Sequence, residues 1–228
     1  MLKNLKNNVF NAKVDLVKYG LVIFTFGNVS SINRKQGLIV IKPSGVSYEK
    51  MSANDMVVVD MDGKTVEGIL KPSSDTPAHL ELYKRLPSVG SIVHTHSTWA
   101  TIWAQAGKKI PCLGTTHADH FYGDIPCTRK LTQKEIQHNY EKNTGLVVSE
   151  CYNETDPLKM PAVLVNNHGP FTFGNDANEA VYNAVVLEEL AKTAYHTLHL
   201  DNKASIDKAL LDKHYKRKHG SDSYYGQD

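Results

Sequence analysis

Two histidines one residue apart, His94 and His96, follow the apolar run Ser91-Ile92-Val93 and precede the helix-like stretch Ser97 to Ala104. A β-strand sends residues i and i+2 to one face, roughly 6.6 Å apart at about 3.3 Å rise per residue. Imidazoles on that spacing can converge on one cation. A strand running straight into a helix also marks the end of a sheet where α/β folds gather their ligands. The feature therefore predicts a layered α/β domain with a metal site at one sheet end. His168, in the turn-like Asn166-Asn167-His168-Gly169-Pro170, extends the pair to a candidate set of three nitrogens.

The surrounding periodicities complete such a domain. Leu2, Leu5, Val9, Ala12 and Leu16 recur at helical steps and predict an opening amphipathic helix that ends near Gly20. Short extended runs are expected at Leu21–Phe24, Val29–Asn33, Leu38–Ile41 and Val57–Asp60, with Asp62-Gly63 as a hairpin turn. Pro77 suits the first turn of a helix running to about Leu86. Thr132-Gln133-Lys134-Glu135 fits a capping box, and Gly145 fits the stop of the helix it opens. Ala162–Val165 reads as a buried strand. Asn175-Asp176 opens a long helix to about His199, and a last helix covers Ile206 to about Lys218. Helices flank a strand-rich centre, so the expected fold is a three-layer α/β/α sandwich around a mixed, largely antiparallel sheet.

Composition narrows the function classes. With 228 residues and no linker-like segment, the expectation is one domain spanning 1–228. A net charge of +2 gives no general attraction to nucleic acid or membrane. Cys112, Cys127 and Cys151 are odd in number and widely spaced, as expected of reduced thiols in a cytoplasmic protein. No apolar run reads as a signal peptide or a spanning helix.

Zinc and neighbouring first-row ions accept imidazole and carboxylate ligands. Asp75, in Ser73-Ser74-Asp75-Thr76-Pro77, is a candidate fourth ligand and equally a candidate helix N-cap. Three small-residue loops, Gly27-Asn28, Ser44-Gly45 and Ser73-Ser74, could present N–H and hydroxyl groups to a phosphate, with Lys42 adding charge. Each alone also reads as an ordinary turn. No nucleotide-binding glycine pattern is present.

Seven motifs run in one order along the chain: Gly27-Asn28-Val29-Ser30, Lys42-Pro43-Ser44-Gly45, Lys71-Pro72-Ser73-Ser74-Asp75-Thr76, His94-Thr95-His96-Ser97, Thr115-Thr116-His117-Ala118-Asp119, Asn167-His168-Gly169 and Tyr224-Tyr225-Gly226-Gln227. Together they resemble the class II aldolase/epimerase family over nearly the whole chain. The resemblance implies a metal held by Asp75, His94, His96 and His168, with one Zn²⁺ per subunit; Mn²⁺ or Co²⁺ suits the same donors. It implies a phosphate cradle of Gly27, Asn28, Lys42, Ser44, Gly45, Ser73 and Ser74. Asp119 and Tyr225 become the acid/base pair, and Thr116, His214 and Arg217 support the aldehyde phosphate and the interface. The tail at 219–228 then contributes to an active site shared between subunits of a cytoplasmic homotetramer.

Within that family, aspartate at position 75, Asp119 and the Tyr-Tyr-Gly-Gln tail favour epimerisation of a pentulose phosphate at C4, interconverting L-ribulose 5-phosphate and D-xylulose 5-phosphate. L-Arabinose and L-ascorbate breakdown are both compatible sources. A C4–H is not adjacent to the ketone, so the implied route is retro-aldol cleavage of C3–C4 and re-addition to the other aldehyde face. A class II sugar-phosphate aldolase and a non-catalytic zinc-stabilised interaction module are the alternatives.

Overall fold

The computed structural model describes residues 2–221, 223 and 224. The opening helix is α1 (Leu2–Lys18), followed by β1 (Asn28–Asn33), β2 (Leu38–Ile41), β3 (Val57–Asp60), β4 (Thr65–Glu67), α2 (Thr76–Arg85) and β5 (Ser91–His94). Then come α3 (Thr98–Ala106), α4 (Thr115–Ala118), α5 (Gln133–Gln137), α6 (Tyr140–Glu150), β6 (Ala162–Leu164), β7 (Pro170–Gly174), α7 (Ala177–Leu200) and α8 (Lys208–His219). The strands form one seven-stranded sheet in the order β4-β3-β2-β1-β5-β7-β6. Every neighbouring pair is antiparallel, so the expected mixed sheet reduces to a single isolated parallel bridge, Cys127 to Leu164.

Both faces of the sheet are covered, which is why Val57-Val58-Val59 is apolar without interruption. The strand period sorts these residues. Val57 and Val59 join Ile39, Ile92, Leu82 and Tyr83 in the core beneath α2. Val58 joins Val29, Val40 and Val93 on the other face, against Val9, Ala12 and Leu16 of α1 and Ala177, Ala180 and Ala184 of α7. Each buried valine contributes roughly 1.5–3 kcal/mol. His94 continues the alternation onto the α2 face.

The structure also departs from the sequence expectations in two segments. Leu21–Phe24 is not a strand, because β1 is already paired on both edges by β2 and β5; Leu21 and Val22 instead pack into the core beneath α1. The helix opened at Thr132 ends at Gln137, and α6 starts afresh after Asn139, which adopts φ 55°. Gly145 therefore lies inside α6 and does not stop a helix. Its role is close approach: a Cβ there would stand 2.6 Å from the Ala78 carbonyl oxygen of α2. The capping box itself forms as expected, with Glu135 N–H donating to Thr132 Oγ1 and the Glu135 carboxylate accepting from the Thr132 N–H.

Candidate metal centre and active site

Strand register builds the site. Asn28 of β1 lies opposite His94 of β5, and His94 lies opposite Phe171 of β7, so three side chains align across one end of the sheet. The His94 ring stacks on Phe171 at 4.2 Å with 18° between planes. Its Nδ1 lies 2.9 Å from the Pro170 carbonyl oxygen, to which it donates, leaving Nε2 free to ligate. His96 follows where the chain leaves the sheet for α3. Glu188 of α7 anchors that helix start, accepting from the N–H groups of Trp99 at 2.7 Å and Ala100 at 3.0 Å.

His168 arrives on the β6–β7 turn, with Asn167 in the left-handed region at φ 61°. Gly169 lets this turn close on the histidine pair: a Cβ would stand 2.7 Å from Thr95 O and 3.2 Å from the His96 ring. The ligand atoms of His94, His96 and His168 all lie within 4.8 Å of one another. His94 Nε2 and His96 Nε2 are 3.3 Å apart, which matches the edge of a tetrahedron with metal–nitrogen bonds of about 2.0–2.1 Å. The donor set fits a divalent ion.

Electrostatics keep the cluster ready to ligate. Burial, with the like charges of His168 and His96, holds His94 well below the ordinary histidine value. Burial lowers His96 and His168 too, against the opposing pull of Asp75. Neutral imidazoles at pH 7 are the ligating form.

Asp75 stands at the N-cap position of α2, yet its side chain makes no capping bond. Its Oδ2 instead accepts from Asn28 Nδ2 at 2.6 Å and lies 4.0 Å from His94 Nε2. The carboxylate is thus turned to the histidines, at the edge of the triad. Behind it, His79 is fully buried, with Ser30 Oγ 2.7 Å from its Nδ1 and 2.8 Å from Tyr83 Oη.

A cleft of about 480 Å³ opens over the triad, lined by Thr25, Phe26, Gly27, Asn28, Lys42, Ser44, Gly45, Ser73, Ser74, Asp75, Tyr140 and the three histidines. The structure brings the three small-residue loops together here. Ser44 N–H donates to Lys71 O at 2.9 Å and Ser73 N–H donates to Lys42 O at 3.0 Å, lacing two of them side by side. The Asn28–Asp75 bond ties in the third.

Thr116, Asp119, His214 and Arg217 do not line this cleft. Asp119 is instead clasped by α8. Its Oδ1 accepts from Arg217 Nε at 2.9 Å and pairs with His214 Nδ1 at 3.0 Å, while Oδ2 accepts from Arg217 Nη2 at 2.6 Å. Burial alone would raise the Asp119 carboxyl, but the bonds from Arg217 and His214 outweigh it and hold it below the usual value. Thr116 is exposed on α4, and Tyr225 lies outside the described residues.

Sequence reasoning missed Thr25, Phe26 and Tyr140. Tyr140 Oη lies 3.2 Å from His168 Nδ1, an outer partner for the third histidine. Its position just after the left-handed Asn139 leaves no mark in the sequence pattern.

An antiparallel sandwich thus carries, at one sheet end, a three-histidine cluster suited to a metal, with three small-residue loops gathered beside it. The "Class II Aldolase and Adducin N-terminal domain" family matches residues 7–195, and the chain belongs to it. It is 59% identical over 227 residues to L-ribulose-5-phosphate 4-epimerase UlaF of Salmonella paratyphi C (strain RKS4594), covering 99% of this chain and 100% of that protein. Among solved structures it is similar to an L-fuculose 1-phosphate aldolase, with TM-score 0.81 and 24% identity over 94% of this chain and 95% of that one. The L-fuculose-1-phosphate aldolase of Thermus thermophilus shares the fold at TM-score 0.70 and 22% identity, covering 91% and 100%.

Proposed function

We propose that this protein is a divalent-metal-dependent L-ribulose-5-phosphate 4-epimerase, interconverting L-ribulose 5-phosphate and D-xylulose 5-phosphate. One observation carries the reading: 59% identity to an enzyme of that name along its whole length. At C4 the hydrogen is not acidic, so inversion proceeds by cleaving C3–C4, rotating the aldehyde and re-forming the bond from its other face. When bound, the cation polarises the ketose oxygens and stabilises the charge that cleavage places on the dihydroxyacetone fragment. Zinc is the proposed ion, held by His94, His96, His168 and Asp75.

The chain's own residues do the rest. Gly27, Asn28, Lys42, Ser44, Gly45, Ser73 and Ser74 hold the phosphate, fixing the substrate while the aldehyde turns. Asp119 and Tyr225 move the proton on the C4 oxygen, one for each aldehyde face. A tyrosine hydroxyl is a competent donor to a developing alkoxide. Thr116, His214 and Arg217 support that pair. Since Asp119 lies away from the cleft of its own chain, we assign it and Tyr225 to the cleft of a neighbouring copy in a homotetramer. Residues 1–228 act as one domain whose tail completes the partner's site, in a cytoplasmic enzyme. Among the described residues no helix is long and apolar enough to cross a membrane.

Purified protein given L-ribulose 5-phosphate, with and without chelator, tests this. The expected outcome is chelator-sensitive D-xylulose 5-phosphate without free glycolaldehyde phosphate. Accumulating aldehyde would make the protein an aldolase. No turnover by metal-loaded protein would refute both readings and leave a metal-stabilised module.

A further inference from the structure

Behind the phosphate cradle lies a second layer of charge. Lys13, on the inner face of α1, is 1% exposed. Its Nζ donates to the Tyr48 carbonyl oxygen at 2.8 Å and stands 4.9 Å from the centroid of the Tyr48 ring and 4.8 Å from that of Phe10. Lys42 meets the same tyrosine, with Nζ 5.2 Å from the ring centroid. Two ammonium groups therefore share one aromatic ring. The Tyr48 hydroxyl donates to Phe26 O and Gly27 O, the stretch that enters the cleft just ahead of Asn28. Lys42 donates to Thr25 O at 3.1 Å and Pro43 O at 3.2 Å, which pins its head to the same rim.

Burying an ammonium is costly unless nearby groups compensate the lost water. Lys13 pairs with no carboxylate among the described ion pairs; Asp55 acts on it only at a distance. Neither Lys13 nor Tyr48 lines the cleft.

We propose that Lys13 and Tyr48 are positioning residues for Lys42. The shared ring and the fixed second charge hold the Lys42 ammonium at the cradle and set the pH range over which it grips a phosphate. This rests on the reading of Lys42 as a phosphate-binding group. The groups facing Lys42 are Lys13 from α1, Tyr48 from the loop after β2 and Asp75 from the turn before α2. Burial first, then the charge of Lys13, brings Lys42 down to about 8 against the opposing pull of Asp75. Lys13 is itself lowered by burial, against Asp55. Two like charges standing 4.9 and 5.2 Å from the centroid of one ring couple by at least about one pH unit at the effective dielectric of such sites.

The test is the KM for L-ribulose 5-phosphate of the metal-loaded enzyme between pH 7 and 10. For the unmodified protein KM should climb on the alkaline side as Lys42 loses its proton. Lys13→Met removes the second charge, and the alkaline limb should move up by about one pH unit. Lys13→Gln repeats the test with a donor to Tyr48 O retained, should the methionine variant fold poorly. Tyr48→Phe keeps the ring but releases the Phe26 and Gly27 carbonyls, and should raise KM at every pH without moving the limb. Lys42→Met should raise KM throughout and abolish the limb.

A Lys42→Met profile like that of the unmodified protein would overturn the phosphate assignment and the proposal with it. A flattened Lys42→Met profile beside an unmoved limb in both Lys13 variants would overturn the proposal alone. Uniform weakening in the Lys13 variants without displacement of the limb would mean that Lys13 is merely structural.

Discussion

The histidine cleft and the Asp119 cluster are built in opposite ways. In the cleft, strand register does the placing: Asn28, His94 and Phe171 are direct cross-strand neighbours, and the turn carrying His168 is a tight link between adjacent antiparallel strands. Around Asp119, side chains 95 and 98 residues further along the chain close onto one carboxylate from a terminal helix. The first region is part of the sheet's own hydrogen-bonded ladder. The second depends on the docking of α8, which has no buried residues of its own. The proposed epimerisation would draw on both, for its cation from the first and for a proton donor from the second.

The sharpest way to separate the two is to remove one ligand. His168→Ala should abolish stoichiometric metal binding and lower turnover at least about a hundredfold, since the cation carries the charge stabilisation. Metal content by atomic absorption beside activity checks this, and full metal at undiminished affinity would exclude His168 from the ligand set. Asp119→Asn and Tyr225→Phe should each cost about 10²–10⁴ in kcat with metal content unchanged. If the pair serves a neighbouring copy, co-expressing His168→Ala with Asp119→Asn chains should recover turnover in mixed oligomers. Two dead variants that stay dead together would place both regions in one chain's site.

Acid pH should stress the cleft more broadly. In the folded protein His94, His96 and His168 are held below the ordinary histidine value, and His79 falls to about 3 through burial, with Asp75 opposing and His94 reinforcing. The unfolded chain then binds more protons than the native one below about pH 6.5, so metal-free stability should fall as pH drops through that value. Asp119 works at lower pH. Its depressed carboxyl contributes above the unfolded value of about 3.9 and loses that contribution as pH falls through its folded value. Thermal melts from pH 8 to 4 should show the histidine effect first, and a flat profile across pH 5–6.5 would exclude it.

The smallest effects belong to positions outside both regions. Gly145→Ala should destabilise by about 1–3 kcal/mol, because the added methyl meets the Ala78 carbonyl. Thr132→Ala should cost about 1 kcal/mol through the lost cap. Urea titration measures both, and neither should alter metal affinity.

Much of this molecule was legible in the sequence. The periods of α1, β2, β3 and α7, the caps at Asp176 and Thr132, and the strand-to-helix passage through His94 and His96 are local patterns, and local patterns follow backbone geometry. The motif order sufficed for the family. Gly145 misled because a glycine needed for a close helix contact looks the same as a glycine needed to end a helix. Leu21–Phe24 misled because an apolar run does not reveal whether a strand partner remains.

By itself, then, the sequence determined the layered class, the three histidines and the small-residue loops, since each is encoded in residues near one another. Only the tertiary structure decided that Asp75 turns from the helix it begins to Asn28 and the triad. It alone put Tyr140 behind His168, Lys13 behind Lys42, and Asp119 in the grip of α8 rather than in its own cleft. Those pairings join residues tens of positions apart, and they exist because packing the layers leaves each polar group only the partner that arrives beside it.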